Sequence, residues 1–307
     1  MPPFEIAGGL GLALVRGISV AACLSALGVI VFRLALVPPA LALADAPAAL
    51  RWHRRWLRLL WASVAAALLA GALWLLLASG EMAGATGLGA MAAAVPIAVL
   101  HSRFGTVLVI RLALLAAVPF TIATRPRPFR LAIATALAVV ATALQAMFGH
   151  AASVGGTLMH WLALSTMLHV LAAGVWLGQL PPLWSFLAEM PPTAASLALR
   201  RFSPLGVACV IVLAATASAQ GWGLVGGVAG AVGTAYGWAD LAKLSLFAAL
   251  LAIAAINRFI LMPKLTAAEP TAAQRGLHRS VMVETAVGLA IVLTAGVLAS
   301  LPPGIGG

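Results

Sequence analysis

Long apolar runs broken by short polar punctuation set the rhythm of this chain. The runs lie near residues 12–37, 57–79, 104–123, 129–149, 157–180, 204–226, 238–262 and 280–301. At about 1.5 Å of rise per residue, each can cross a hydrocarbon layer of roughly 30 Å as a helix. A helix is the natural choice there, because backbone N–H and C=O groups in lipid must find partners within their own segment. The expected fold class is all-α, a polytopic membrane bundle of eight transmembrane helices. The segment 88–100 is shorter and carries Pro96, so it reads as an interfacial or re-entrant helix, with a ninth crossing as the alternative.

Composition closes off other classes. A chain of 307 residues that is 63% hydrophobic and 8% charged, with a mean hydropathy of +1.10, has more apolar surface than a water-soluble core can hide. The two cysteines, Cys23 and Cys209, both fall within apolar runs and read as small buried hydrophobes rather than a disulfide pair. The opening MPPFEIAGGLGLAL has no basic flank and no evident cleavage site, so the first helix is expected to be retained.

Charge gives the orientation. Thirteen of the 18 Lys and Arg residues lie in the loops after the first, third, fifth and seventh runs, among them Arg51, Arg54, Arg55, Arg58, Arg125, Arg127, Arg130, Arg200 and Arg201. The alternate loops hold only Arg103. The positive-inside bias therefore puts the four basic loops in the cytoplasm and both termini outside. The net charge of +11 is then a topology signal and a handle on anionic lipid headgroups, and no nucleic-acid partner is expected.

An internal echo divides the chain. Residues 101–114 resemble 233–246, pairing Phe104 with Tyr236, Gly105 with Gly237 and Arg111 with Lys243. Arg54-Arg55-Trp56 is echoed by Arg200-Arg201-Phe202, and Pro38-Pro39 by Pro181-Pro182. These matches predict two four-helix halves, 1–150 and 151–307, forming one integral unit. Since four is even, the halves would run parallel about an axis along the membrane normal.

Four of the six histidines fall on the outer side of this topology. His101, His150 and His160 sit at the outer ends of helices, and His169 lies nine residues beyond His160, roughly 13 Å deeper by helical rise. An imidazole in hydrocarbon must find partners for its ring nitrogens, which makes His169 a candidate site. Met147, Met159 and Met167 accompany these histidines, with Met82 and Met91 in the second outer loop. Imidazole with thioether suits copper, Cu(I) especially. His160 and His169 point to opposite sides of their helix, so neither chelates with the other. His169 shares its face with Ala172, Ala173 and Trp176. His150, with Met147 one turn before it, is the more plausible partner. The rival reading of His169 is a core histidine bonded to a backbone carbonyl or to Gln145. His53 and His278 lie in arginine-rich cytoplasmic loops and read as solvated side chains.

The remaining polar groups suggest structural pairs. Glu284 lies at the depth of Asn257 and Arg258, so either could clamp it, with a proton relay as the alternative. Asp240 and Lys243 stand one turn apart and should pair with each other or with a neighbour. Arg111 has no acid nearby in sequence. No phosphate-binding loop, GxSxG elbow, CxxC or HExxH occurs, which excludes an ATP-driven pump and gives no sign of an enzyme.

Several segments carry a family likeness: GHAAS at 149–153, LHVLAAGVWLGQL at 168–180, RFSPLGV at 201–207, GTAYGWADLAKLSLFAALLAIAAINRFILMPKL at 233–265 and RSVMVETAVGLAIV at 279–292. In this order they resemble the copper resistance protein D (CopD) family of bacterial inner-membrane proteins, with RFGTVLVIRLALL at 103–115 the only match in the first half. The resemblance implies an eight-helix inner-membrane protein moving copper from periplasm toward cytoplasm, often beside a periplasmic CopC-type carrier. By that resemblance the family's histidines fall on His150 and His169, and its later polar positions on Tyr236, Lys243, Asn257, Arg258 and Glu284. Some relatives carry a fused CopC-like domain or His/Met-rich outer loops, and this sequence shows neither. Two other readings stand beside copper transport: a haem-bearing electron carrier using a shallow pair such as His150 with His160, and a factor delivering copper to a respiratory oxidase.

Overall fold

In a computed structural model, residues 8–122, 127–148, 157–224, 231–266 and 270–302 are described here, with the side chains of 157–159, 223 and 224 left aside. The helices are α1 (Gly9–Leu41), α2 (Ala46–Ala83), α3 (Leu88–His101), α4 (Arg103–Ile122), α5 (Pro128–Met147), α6 (Thr157–Trp176), α7 (Leu180–Glu189), α8 (Pro192–Leu224), α9 (Ala235–Lys264) and α10 (Pro270–Leu298). Helices α6 and α7 join through a 3₁₀ turn, Leu177–Gln179, into one crossing. Among the described residues eight segments are long and apolar enough to span a membrane, and α3, at 14 residues, is too short.

Prolines shape the ends of three crossings. A proline has no N–H and its ring presses on the carbonyl four residues back, so a helix that continues through it leaves α geometry locally, widening to a π turn or tightening to a 3₁₀ turn. In α1 a π-helical turn, Phe32–Leu36, precedes Pro38 and Pro39. In α9 another, Asn257–Leu261, precedes Pro263, and the 3₁₀ turn at 177–179 precedes Pro181 and Pro182. The freed Ala35 carbonyl is taken by Arg201, whose Nε and Nη2 donate to it at 3.2 and 2.9 Å. The cost of each bulge is thus offset by a cross-helix bond or by a polar site.

Helix α1 is the hub, packing against α2, α5, α6 and α10. It crosses the α6–α7 junction so closely that a Cβ on Gly28 would lie 1.9 Å from the Gly178 carbonyl carbon, and one on Gly178 would lie 2.0 Å from the Leu24 oxygen. Only glycine admits that approach, and it lets backbones pack where lipid supplies no hydrophobic drive. Toward the basic end, Phe186 meets Phe32 and Trp52 edge to face and those two rings tilt against each other, with centroids 5.3 to 6.1 Å apart, and Trp56 Nε1 donates to the Val29 carbonyl at 2.8 Å. Two of the four arginines after the first run, Arg51 and Arg55, share Glu189 at 3.0 and 2.8 Å, tying α2 to α7. Cys23 and Cys209 are buried free thiols.

Candidate functional site

The polar groups of the later helices gather along one route between α6, α8, α9 and α10. The seam begins where Gln220 on α8 donates to Ser165 Oγ on α6 at 3.3 Å, and Ser165 in turn donates to the Thr216 carbonyl at 3.3 Å. One turn deeper, His169 Nδ1 meets Thr216 Oγ1 at 2.9 Å. Serine, threonine and glutamine at four-residue spacing present a single face on each helix, which is why these groups meet across the contact.

The Thr216 hydroxyl fixes the histidine tautomer. Its oxygen lies 2.6 Å from the Val212 carbonyl one turn back, the donor geometry of a helical threonine. Its single proton is thereby used, so it accepts from His169 Nδ1–H, and Nε2 keeps its lone pair. This hydroxyl, not Gln145 or a backbone carbonyl, holds the ring. His169, Ala173, Trp176, Thr216's neighbour Leu213, Phe247 and Lys243 surround an apolar cavity of about 110 Å³. Lys243 sits 3.4 Å from Asp240 one turn back on α9.

A larger cavity of about 400 Å³ continues below, and Trp176 lines both. Its polar wall is Ser203, Asn257, Arg258 and Glu284. Asn257 Nδ2 donates to Glu284 Oε1 at 2.9 Å in a buried bond, so of the two available clamps the carboxylate takes the amide. Arg258 turns to α8, donating to the Ser203 carbonyl at 3.2 Å and to its hydroxyl. The π-turn that begins at Asn257 sets the two side chains apart, sending one to α10 and the other to α8.

The other sequence candidates lie elsewhere. Met147 Sδ accepts from Arg103 Nη2 at 3.5 Å and is not part of the cavity wall at His169. His160 and His101 are exposed at helix ends. His150 lies outside the described residues. His53 stacks on Trp56 and His278 on Trp184, with centroids 5.7 and 5.0 Å apart, so both rest on indole faces. Among the described residues no three His, Cys, Asp or Glu side chains converge as a metal cluster.

Sequence reasoning passed over Thr216 and Ser203. Thr216 carried a signal, as a hydroxyl one helical turn before Gln220 on the same face. Trp176, which the sequence puts on the face of His169, also lines the second cavity.

The fold and this polar seam define a multi-pass helical membrane protein with a partly hydrophilic interior track. Comparison gives the family. The copper resistance protein D-like N-terminal domain model matches residues 6–161 and the copper resistance protein D model residues 196–298, so the chain belongs to the copper resistance protein D family. It is 30% identical over 216 residues to Copper resistance protein D of Pseudomonas syringae pv. tomato, covering 66% of this chain and 69% of that protein. It is 32% identical over 166 residues to Copper transport protein CutJ of Bacillus subtilis, covering 52% of this chain but 28% of that longer protein. No solved structure matches.

Proposed function

We propose that this protein carries copper across the bacterial inner membrane, from periplasm toward cytoplasm, along the seam between α6, α8, α9 and α10. The observation that carries the reading is the His169–Thr216 bond. By holding the Nδ1 proton, Thr216 leaves Nε2 as a soft nitrogen donor beside an internal cavity, the arrangement in which an outer-shell partner orients a metal-binding imidazole. His101, Met147, His150 and His160 belong to the outer mouth in this reading, and His169 is a deeper station, so copper passes stepwise between sites. A station built from few donors binds weakly enough to release its ion, as conduction requires. The family membership and the names of the two relatives support copper as the cargo. A periplasmic CopC-type carrier is the expected donor at the mouth, and the protein acts as a permease rather than an enzyme.

The test is copper content and copper accumulation in cells for the wild type, His169→Ala and His53→Ala. His169→Ala should lose bound copper and copper uptake while membrane-inserted protein stays near wild-type level, and His53→Ala should change neither. Wild-type copper binding by His169→Ala would remove the deep station. A Soret band in the purified wild type would point to a haem carrier instead.

A further inference from the structure

The larger cavity also opens sideways. Helix α8 packs on α6 and α9 packs on α10, but among the described residues α8 and α9 make no extended contact with each other. The cavity of about 400 Å³ lies in the gap between them. Val207 and Ile211 on α8 and Phe259 on α9 belong to its wall and are exposed as well. A residue that is both exposed and part of a cavity wall stands at the mouth. For helices that cross a membrane, this mouth faces hydrocarbon.

The wall is graded from apolar to cationic. Gly206, Val207 and Val210 line it on α8 between Ser203 and Ile211, and Ala254 and Ala255 line it on α9 between Leu251 and Asn257, an apolar stretch of roughly 10–12 Å by helical rise. At the basic end of that stretch stands Arg258. Its Nη1 donates to the Ser203 carbonyl and hydroxyl, and its guanidinium lies 5.6 Å from the centroid of the exposed Phe259 ring. Among the described residues no carboxylate pairs with it, and Glu284 on α10 accepts from Asn257 instead. Two further cations are exposed just beyond the cavity: Arg200 follows the wall residue Leu199, and Lys264 comes two residues after Met262.

We propose that this cleft binds one anionic phospholipid, with an acyl chain between α8 and α9 and the phosphate held by the Arg258 guanidinium, Arg200 and Lys264 lying beside it. An empty apolar space of this size forfeits dispersion contacts on every side, and so apolar a wall gives water too few partners to settle there. A helix of a neighbouring chain, about 10–12 Å across, is too thick for the gap, and an acyl chain is not. The tail gains little by leaving bulk lipid, which is as apolar as the wall, so selectivity comes from the cations at the basic end. The inference does not depend on copper as the cargo, since it uses neither His169 nor the cavity beside it. A lipid seated there completes the bundle where α8 and α9 do not meet.

The test is thermal unfolding of the full chain in a neutral detergent with added phosphatidylglycerol or phosphatidylcholine of the same chain length, together with native mass spectrometry to count retained lipids. Phosphatidylglycerol should raise the midpoint saturably and leave one molecule bound per chain, and phosphatidylcholine should do neither. Arg258→Gln keeps a donor for Ser203 and should weaken apparent phosphatidylglycerol affinity about tenfold or more. Val207→Trp fills the mouth, leaves Arg258 in place and should abolish the saturable effect, so it carries the test if Arg258→Gln fails to fold. Arg54→Gln, which removes an exposed cation on α2 outside the cavity wall, should leave the effect intact. An equal response to the two lipids, a phosphatidylglycerol effect unchanged in Val207→Trp, or an equal loss in Arg54→Gln would overturn the site. A stable dimer that Val207→Trp dissociates would give the cleft to a second copy of the chain and overturn it as well.

Discussion

The helices before residue 150 and those after it solve the burial of a cation in opposite ways. After 150, Lys243 keeps about a fifth of its side chain exposed and has Asp240 at 3.4 Å. Before 150, Arg111 is sealed off with a single carbonyl acceptor among the described residues. The packing differs to match. In the most apolar window of α1, 61% of residues are buried, against 6% in that of α9. The early helices close round a hub, and the later ones leave two cavities that have Trp176 in both walls. A tight region can hold a fixed charge, whereas a loosely packed one can admit and release an ion. The route proposed for copper accordingly lies where the helices leave space.

The two regions come into backbone contact where α1 crosses the α6–α7 turn, and breaking that crossing should have the largest effect. Gly28→Val places a side chain into the Gly178 backbone, 1.9 Å from its carbonyl carbon. Neither backbone can yield without separating α1 from the α6–α7 turn, so the loss should exceed about 3 kcal/mol and most protein should fail to accumulate. Gly221→Ala, where a Cβ meets nothing within 4 Å, should be neutral or stabilising by up to about 1 kcal/mol. Membrane-fraction yield and detergent melting compare the two. If Gly28→Val folds normally, α1 does not join the regions as described.

Removing the polar clamp of the later region ranks second. Glu284→Leu leaves the Asn257 amide without its acceptor in a buried setting and should cost about 1–3 kcal/mol. Glu284→Gln keeps a carbonyl oxygen for Asn257 and should melt near wild type. A stable Leu variant that has lost copper uptake would instead make Glu284 a proton carrier and not a clamp.

These variants also mark what the sequence could and could not convey. Hydropathy located all eight crossings, because lipid imposes a length that apolar runs reveal. It misplaced their ends. The run at 57–79 became a helix over 46–83, since Asp45 accepts from Ala48 N at 2.6 Å and caps a helix with Pro47 in its first turn. The arginines of that extension are polar, and a hydropathy window drops them. Helical spacing offered Asp240 as a partner for Lys243, and depth offered Glu284 either Asn257 or Arg258, of which the structure pairs it with Asn257. His169 with Thr216, Arg258 with Ser203 and Arg111 with Ser19 could not be foreseen, because each joins residues 47 to 92 apart through helix rotations that periodicity leaves open. The glycine crossing at Gly28 and Gly178 was illegible for the same reason.

Third in size is Asp240→Leu, which puts at 240 the leucine that its counterpart in the internal echo, Leu108, already carries. Lys243 then loses its carboxylate, but its long stem can carry the ammonium toward water at the helix end. The cost should be about 1 kcal/mol, below that of the buried Glu284→Leu, and read by the same melt. A loss larger than that of Glu284→Leu would mean that Lys243 is as confined as Arg111, and the contrast between the regions would fail.

The smallest effect belongs to Glu189, where both regions meet at the basic end. Its carboxylate is shared by Arg51 and Arg55, whose side chains are 58% and 43% exposed. Solvent screens pairs of this kind, and a long arginine spends side-chain entropy in holding one geometry. Glu189→Gln should therefore cost less than about 1 kcal/mol, and the difference from wild type should shrink as salt rises, because exposed charges are screened within roughly 8 Å at physiological ionic strength. Melting in low and high salt measures it. A large, salt-independent loss would place this pair in a dry interface, and the two regions would then be held together by charge at the basic end as firmly as by the glycine contact in the middle.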